Sequence, residues 1–219
     1  SKGQLYTGWA TIGGNKYYLG TDGAIRTGWQ TIGENKYYFN SKGVMTKGWA
    51  TIDGNKYYFG KVSGKLATGW TTISGKKYYF DTDGMKQTGW ITVGSNKYYL
   101  GTDGVRRTGW RTIDGNRYYF GKSSGQLYTG WATIGGKKYY LGTDGVMVTG
   151  KQTINGVVYE FGKDGVLKGK VEDQDKEPDK QPENDQTTKD NKSDNEDNTK
   201  SNLENNNVEQ DTQVLENVK

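Results

Sequence analysis

Apolar and polar residues alternate in closely spaced pairs of short runs along the first 170 residues of the chain. The first pair covers residues 9–12 and 16–19 and is separated by a glycine-rich turn. Two alternating runs joined by a few turn-forming residues are the sequence signal of a β-hairpin. Similar pairs follow at regular intervals, so the pattern predicts about eight consecutive β-hairpins over residues 1–170.

The runs belong to an internal repeat that a Gly-Trp pair marks at spacings of 20, 20, 21, 20, 20 and 21 residues. The tryptophans are Trp9, Trp29, Trp49, Trp70, Trp90, Trp110 and Trp131. The resulting 61-residue superperiod fits two explanations: duplication of a three-repeat block, or three repeats in each turn of a superhelix. In the eighth repeat Lys151 replaces the tryptophan, which predicts a C-terminal cap because terminal repeats need a polar outer face.

Tight hairpin turns need residues that tolerate positive φ, which glycine and asparagine supply. We expect a two-residue turn at Gly14-Asn15 and at the equivalent pair of the other repeats. With this loop, Ile12 lies opposite Tyr17. A second series of glycines is expected to let the chain turn between hairpins: Gly23, Gly43, Gly64, Gly84, Gly104, Gly125 and Gly145.

The register decides which side chains share a face, because a slip of one residue exchanges the two faces. We favour an apolar packing face formed in the first hairpin by Ile12, Tyr17 and Leu19. The opposite face is then a mixed aromatic and cationic one, formed by Trp9, Thr11, Lys16 and Tyr18. A three-residue loop would instead place Trp9 on the same face as Tyr17 and Leu19, and the sequence leaves that alternative open.

An isolated hairpin is marginally stable in water, so the hairpins are expected to bury their apolar faces against one another. The predicted fold is therefore all-β, an elongated solenoid of stacked β-hairpin repeats over residues 1–170. Residues 171–219 contain no glycine and no aromatic residue and are rich in Asn, Asp, Glu, Gln and Lys. This composition predicts a disordered acidic tail or linker, because it buries too little apolar surface to offset the entropy of ordering.

Composition also limits the chemistry that the chain can perform. It has no cysteine and no histidine, so it lacks thiolate ligands, imidazole ligands and the commonest general base. Asp22, Asp103 and Asp144 lie in Thr-Asp-Gly turns, where aspartate is expected for backbone reasons. They recur at the repeat spacing instead of converging as the paired carboxylates of a glycosidase would. We predict a non-catalytic protein with no metal and no cofactor.

The net charge of +5 is unevenly distributed. Residues 1–170 carry 24 Lys/Arg and 10 Asp/Glu, a net charge of +14, whereas residues 171–219 carry 6 and 15, a net charge of −9. Basic residues interleaved with aromatic ones suit single-stranded nucleic acid, but no nucleic-acid fold signature is present. No apolar run is long enough for a membrane span. Attraction to anionic wall polymers fits the basic repeats better.

The pattern Gly-Trp-x-Thr-Ile-x-Gly-x-Lys-Tyr-Tyr-Phe-x-x-x-Gly resembles the cell-wall-binding or glucan-binding repeat family over residues 3–169. Similar members include choline-binding modules, the receptor-binding repeats of large clostridial toxins, and the glucan-binding domains of extracellular glucansucrases. The repeat sequence resembles that of the glucansucrase domains most. The resemblance implies a solenoid of stacked hairpins with ligand sites between consecutive repeats.

The residue before each tyrosine pair distinguishes the subfamilies. Choline-binding repeats usually have Trp-Tyr-Tyr there, because aromatic faces hold the quaternary ammonium. This chain has a cation at all seven positions: Lys16, Lys36, Lys56, Lys77, Lys97, Arg117 and Lys138. A fixed cation removes one wall of the aromatic cage and repels the positive ligand, so we expect the chain to bind sugar and not choline.

An aromatic ring beside a cation suits a neutral sugar, since the ring stacks on the pyranose and the cation donates hydrogen bonds to hydroxyls. The stacking candidates are the seven tryptophans with Tyr18, Tyr38, Tyr58, Tyr79, Tyr99, Tyr119 and Tyr140. The polar candidates are the seven cations and Gln30, with Gln152 as a further one. The alternatives are that the tryptophans only pack between hairpins, and that the cations only cover a ring with their stems.

Many weak sites along a rigid rod would bind a polymer of identical sugars by avidity. We predict a secreted or cell-wall-associated bacterial module that binds polysaccharide, specifically α-glucan, as part of an extracellular glucansucrase. One alternative is a receptor, host-glycan or cell-wall-binding array of a toxin or surface protein. Another is a purely structural stalk.

Overall fold

The computed structural model describes residues 5–171, which form seventeen β-strands and no helix. Sixteen of the strands pair in sequence order as eight antiparallel hairpins, and β17 adds a third strand to the last of them. The strands are β1 (Gly8–Ile12), β2 (Asn15–Leu19), β3 (Gly28–Ile32), β4 (Asn35–Phe39), β5 (Gly48–Ile52), β6 (Asn55–Phe59), β7 (Gly69–Ile73), β8 (Lys76–Phe80), β9 (Gly89–Val93), β10 (Asn96–Leu100), β11 (Gly109–Ile113), β12 (Asn116–Phe120), β13 (Gly130–Ile134), β14 (Lys137–Leu141), β15 (Gly150–Ile154), β16 (Val157–Phe161) and β17 (Leu167–Lys170).

The register of the hairpins differs from the predicted one at the loop. Ile12 pairs with Asn15, not with Tyr17, so the two loop residues are Gly13 and Gly14 and the predicted Gly14-Asn15 turn is wrong. The correction moves each cross-strand partner by two positions. Because alternate residues of a strand share a face, a shift of two leaves the faces as predicted.

The predicted faces are therefore confirmed. Trp9 lies directly opposite Tyr18, and Thr11 lies opposite Lys16, on the mixed aromatic and cationic face. The same pairing recurs in the next six hairpins. The alternative three-residue loop, which would have grouped Trp9 with Tyr17, does not occur in them.

Backbone conformation explains why the loop begins where it does. Gly13 and Gly14 have φ of 55° and 77°, and Asp53 and Gly54 have φ of 50° and 79°. Positive φ at both central residues defines the type I′ turn, whose twist matches that of the flanking strands. In the second hairpin only the first loop residue, Gly33, has positive φ, at 61°, as in a type II′ turn.

The apolar face of each hairpin packs into the stack. The last residue of the second strand is fully buried in six hairpins: Phe39, Phe59, Phe80, Leu100, Phe120 and Leu141. Burying a side chain of this size stabilises a fold by about 1.5–3 kcal/mol. The predicted packing face thus supplies the core, and each hairpin depends on its neighbours for it.

Backbone hydrogen bonds join neighbouring hairpins through the connectors, the segments between one hairpin and the next. The connector that follows one hairpin bonds to the second strand of the hairpin before that one. The Met45 N–H donates to the Lys16 carbonyl at 2.8 Å, and the Leu66 N–H donates to the Lys36 carbonyl at 2.9 Å. Four further bonds repeat this contact as far as Met147, so the spacing between hairpins is fixed by the main chain.

The second glycine series has two structural reasons. Its members have positive φ, as predicted, from 69° at Gly64 to 86° at Gly145. They also lie against the connector side chain of the preceding repeat. A Cβ on Gly84 would lie 2.6 Å from the Cγ and Cδ2 atoms of Leu66, which is too close for any real contact. Glycine is therefore required for both conformation and space.

Replacing Gly84 by alanine is expected to lower the unfolding midpoint more than replacing Gly89. Both have positive φ, 82° and 74°, and that strain costs about 1–2 kcal/mol. Only Gly84 has a side chain in the way, because nothing lies within 4 Å of a Cβ on Gly89. Overpacking adds about 1–3 kcal/mol. Urea unfolding of the two variants measures the difference, and equal midpoints would show that the Leu66 contact contributes nothing.

The eighth hairpin replaces aromatic stacking by polar pairs. Lys151 lies opposite Glu160, where the other hairpins have tryptophan opposite tyrosine. The Lys168 ammonium donates to Glu160 at 2.8 Å, and this hydrogen bond lowers the pKa of Glu160 and raises that of Lys168. β17 pairs with β16 along its outer side.

The predicted disordered tail lies outside the described residues except for Val171. Among the residues that the structure describes, there is no helix that is long and apolar enough to cross a membrane.

Candidate functional site

A recurring cavity lies between consecutive hairpins, and each is named here by its tryptophan. The Trp29 site has a volume of ≈ 220 Å³ and is lined by Trp29, Lys36, Tyr57 and Asp83. Trp29 and Lys36 come from one hairpin, Tyr57 from the next, and Asp83 from a connector further along the chain. Each site is therefore a property of the stack and not of a single hairpin.

The Trp49 site repeats this arrangement one hairpin later. Its cavity of ≈ 280 Å³ is lined by Trp49, Lys56, Tyr78, Lys86 and Asp103. The tryptophan, the cation, the tyrosine and the aspartate occupy the same repeat positions as in the Trp29 site. The structure thus brings together the predicted tryptophans and cations, and it adds residues from the following repeats.

The tryptophans are half-exposed in the described array. For Trp9, Trp29, Trp49, Trp90 and Trp131 the exposed fraction is 36–38%. Each ring packs edge-on against the second tyrosine of its own hairpin at 5.1–5.3 Å between centroids. Each also packs against the first tyrosine of the next hairpin at 4.9–5.1 Å. The rings are held in place by neighbours and still present a surface to a ligand.

The sequence predicts that the first tyrosine of each pair lies in the core, and the structure shows that it also forms a wall of the site. Tyr57 and Tyr98 are each 8% exposed, and their rings meet Trp29 and Trp70 of the preceding hairpins. The signal that could have indicated this is tyrosine, with its polar hydroxyl, at a packing position in every repeat. A buried tyrosine hydroxyl usually finds a hydrogen-bond partner, so tyrosine at this position indicates a polar neighbour.

The second tyrosines, predicted to stack on sugar, lie on the same face as the tryptophans. They are half-buried or buried, with Tyr119 only 7% exposed. They do not line the Trp29 or Trp49 cavities. Their contact with the neighbouring tryptophan fixes the orientation of its ring.

The seven cations are exposed, and most lie over their own tryptophan. The charged group is 5.8 Å from the ring centroid for Lys16, 5.9 Å for Lys56, 5.7 Å for Lys97 and 5.1 Å for Lys138. The Arg117 guanidinium is 4.6 Å from its ring. Exposed cation–π contacts contribute about 0.5–1 kcal/mol, so a ligand can displace them at small cost.

Gln30 and Gln152 lie apart from the described cavities. The Gln30 amide donates to the Thr27 carbonyl at 2.9 Å, and the Gln152 amide donates to the Thr149 carbonyl at 3.3 Å. Both contacts are local and tie the first strand of a hairpin to the connector before it.

In the Trp49 site the surroundings shift the pKa of two lining residues. Burial lowers the pKa of Lys86, and the Lys56 ammonium lowers it further, against the opposing charge of Asp103. Burial raises the pKa of Asp103, but the Val105 N–H and the Arg107 guanidinium outweigh it, so the pKa lies below its usual value. These contacts favour the charged form of the Asp103 carboxylate, whereas burial disfavours the charged form of the Lys86 ammonium.

A family model described as the choline-binding repeat matches most of the array, at residues 26–69, 67–92, 87–129 and 128–168. The chain belongs to the choline-binding repeat family. A second model, described as a cell wall binding repeat, matches residues 7–25. The predicted resemblance to cell-wall-binding repeats is confirmed, and the array is a binding module of this type.

Solved members of the choline-binding repeat family have the same fold. CbpJ from Streptococcus pneumoniae TIGR4 is 31% identical with a TM-score of 0.70, and the match covers 74% of this chain and 58% of that one. Choline binding protein F from S. pneumoniae, in the presence of a peptidoglycan analogue, is 34% identical with a TM-score of 0.68, over 74% and 57%. The choline-binding domain of CbpL from S. pneumoniae is 27% identical with a TM-score of 0.53, over 74% and 86%.

These matches confirm the predicted all-β solenoid of stacked hairpins. The chain spans less than two thirds of the length of CbpJ and of choline binding protein F. No curated protein sequence matches the chain. In the part of the chain that the structure describes, there is no group of three or more acidic side chains placed to hold a metal ion.

Proposed function

We propose that the repeat array binds an extracellular polysaccharide, specifically an α-glucan, by stacking sugar rings on its tryptophans. The observation that carries this proposal is the repeated Trp29-type site, with one half-exposed indole beside a tyrosine and a cation. An indole face suits the apolar face of a pyranose, and the ammonium and tyrosine hydroxyl suit its hydroxyls. The module has no catalytic role.

The cations argue against choline as the ligand of these repeats. In six sites a charged group already lies within 6 Å of the tryptophan ring. A quaternary ammonium would need that position over the ring face and would be repelled by the resident charge. A neutral sugar has no such conflict, and its hydroxyls accept hydrogen bonds from the same cation.

Repetition supports binding by avidity. The seven tryptophans recur at intervals of 20 or 21 residues, and six of them, from Trp9 to Trp110, lie between hairpins joined by the same backbone hydrogen bonds. Sites held at fixed spacing on one scaffold raise the effective concentration of a polymer and strengthen its binding by orders of magnitude. We propose that the parent protein is an extracellular, glucansucrase-like enzyme whose catalytic domain lies outside this chain.

A cell-wall polymer is the second candidate ligand. Two observations favour it: the net charge of +14 over residues 1–170, and the likeness to choline binding protein F, which was solved in the presence of a peptidoglycan analogue. A basic array attracts any polyanion. In that case the protein would be a surface or wall-associated adhesin and not part of a glucansucrase.

Affinity electrophoresis of the chain in native gels with and without dextran tests the α-glucan proposal. The wild-type chain is expected to migrate more slowly in dextran, and Trp90→Leu is expected to migrate faster than wild type there. Tyr128→Leu is the matched control, because that ring is exposed to a similar degree and packs against Tyr119 away from the cavity. Migration unaffected by dextran, with binding to peptidoglycan fragments, would favour the wall polymer instead.

A further inference from the structure

One connector position, which lines the Trp49 cavity as Lys86, changes its chemistry along the array. It is the connector residue that forms a bridge with the buried end of the preceding strand, as Leu66 does with Phe59. This position is aliphatic or methionine in most repeats and basic in two. In chain order it is occupied by Ile25, Met45, Leu66, Lys86, Arg106, Leu127 and Met147.

Lys86 gives the Trp49 site a second ammonium group. The Lys56 Nζ lies 5.9 Å from the Trp49 ring centroid, and both lysines line the same cavity. The Lys86 Nζ is held by the Asp103 carbonyl oxygen at 3.1 Å, which fixes its position without neutralising its charge. The two cations therefore flank one aromatic surface.

The carboxylate in this site does not cancel that charge. One oxygen of Asp103 accepts hydrogen bonds from the Arg107 guanidinium and from the Val105 N–H, both at 2.9 Å. Asp103 and Arg107 thus form a neutral pair at the edge of the cavity. Lys56 and Lys86 therefore place more positive charge in the cavity than Asp103 offsets.

The neighbouring Trp29 site has equivalent tryptophan, lysine, tyrosine and aspartate residues but no excess charge. Its connector residue is Leu66, and its lysine, Lys36, is paired with Asp83 at 4.0 Å. The Trp49 site therefore has one more cation than the Trp29 site. Its aspartate pairs with Arg107, whereas the aspartate of the Trp29 site pairs with the lysine of that site. Nothing in the hairpin fold requires a lysine at residue 86, because leucine occupies the position in other repeats.

We propose that the Trp49 site binds an acidic sugar unit, with its ring on Trp49 and its carboxylate or phosphate between Lys56 and Lys86. The proposal rests on the proposed function of the array as a polysaccharide-binding module and adds that one site selects a charged unit. The other basic connector residue is engaged differently. Arg106 donates to the Ser123 and Ser124 carbonyls and lies over Trp70.

The test uses the full chain and the indole N–H signals of its seven tryptophans, observed by NMR and assigned with single Trp→Phe variants. The ligands are oligosaccharides of neutral dextran, carboxymethyl-dextran and phosphorylated dextran, titrated at low salt. The charged oligosaccharides are expected to shift the Trp49 signal at about fivefold lower concentration than the neutral one. High salt should remove this preference. The two charged ligands distinguish a carboxylate site from a phosphate site.

Two variants separate a local effect from net charge. Lys86→Leu places the residue of the preceding repeat, Leu66, in the Trp49 site and is expected to abolish its preference for charged ligands. Lys122→Leu removes one positive charge from an exposed residue that lines none of the described cavities, and is expected to leave the preference unchanged. If Lys86→Leu keeps the preference, or wild type has none, the acidic-sugar site is wrong while binding of neutral dextran can still stand.

The remaining outcomes also decide between the two proposals. Binding of the charged oligosaccharides alone would support the Trp49 site and overturn the neutral α-glucan proposal. Failure of all three ligands to shift any indole signal would overturn both.

Discussion

Leucine at Trp29, Trp90 and Trp131 together is expected to abolish the retardation of the chain by dextran, which a single replacement only weakens. Each replacement removes one indole platform from the array. In a multivalent array the factors by which the affinity falls at each lost site multiply. Avidity over several sites strengthens binding by about 10²- to 10⁴-fold, so three losses should remove most of that gain. Native gels at a series of dextran concentrations give the apparent dissociation constants.

Phenylalanine at the same three positions is the matched control. Each tryptophan also packs on two tyrosines, and aromatic pairs of this kind contribute about 0.5–1.5 kcal/mol each. Phenylalanine keeps a ring that can stack on both the tyrosines and the sugar, whereas leucine keeps only apolar bulk. Thermal unfolding should show both triple variants folded at the assay temperature. Equal retardation of the leucine variant and wild type would show that the indoles do not hold the glucan, and a single variant as weak as the triple would exclude avidity.

The faces of the hairpins could be predicted because they depend only on the alternation of residues along a strand. The loop could not be predicted from the first repeat, where Gly13, Gly14 and Asn15 all favour turns. The third hairpin is less ambiguous, because Asp53-Gly54 is a strong type I′ signal. Alignment of the repeats on Asp53-Gly54 would have placed the loop one residue earlier, where the structure has it.

The composition of the sites was only partly predictable. Trp29 and Lys36 share a face of one hairpin, and the two-residue period of a strand indicates this. Tyr57 and Asp83 enter the same cavity from later repeats. Their arrival depends on how one hairpin packs on the next, through bonds such as that between the Leu66 N–H and the Lys36 carbonyl. No periodicity within a single repeat encodes that geometry.

The same geometry predicts how a choline site could be introduced. Replacing Lys36 by tryptophan is expected to give the chain a measurable affinity for choline, which the proposed function predicts that wild type lacks. The new indole would stand beside Trp29 and Tyr57, and the change removes the cation that lies 4.0 Å from Asp83. A cation–π contact in a desolvated cage contributes about 2 kcal/mol, which corresponds to about thirtyfold in affinity. Calorimetric titration with choline chloride measures this gain.

Lys36→Leu separates the loss of charge from the gain of an aromatic wall. It removes the repulsive ammonium and leaves Asp83 unpaired, but it adds no ring, so choline should bind it far more weakly than Lys36→Trp. Adding Asp83→Asn to Lys36→Trp should weaken choline binding again, because the carboxylate then no longer offsets the ligand's charge. Retention of the wild-type chain on choline-agarose would contradict the whole account, since it would mean that a lysine in the cage does not exclude a quaternary ammonium.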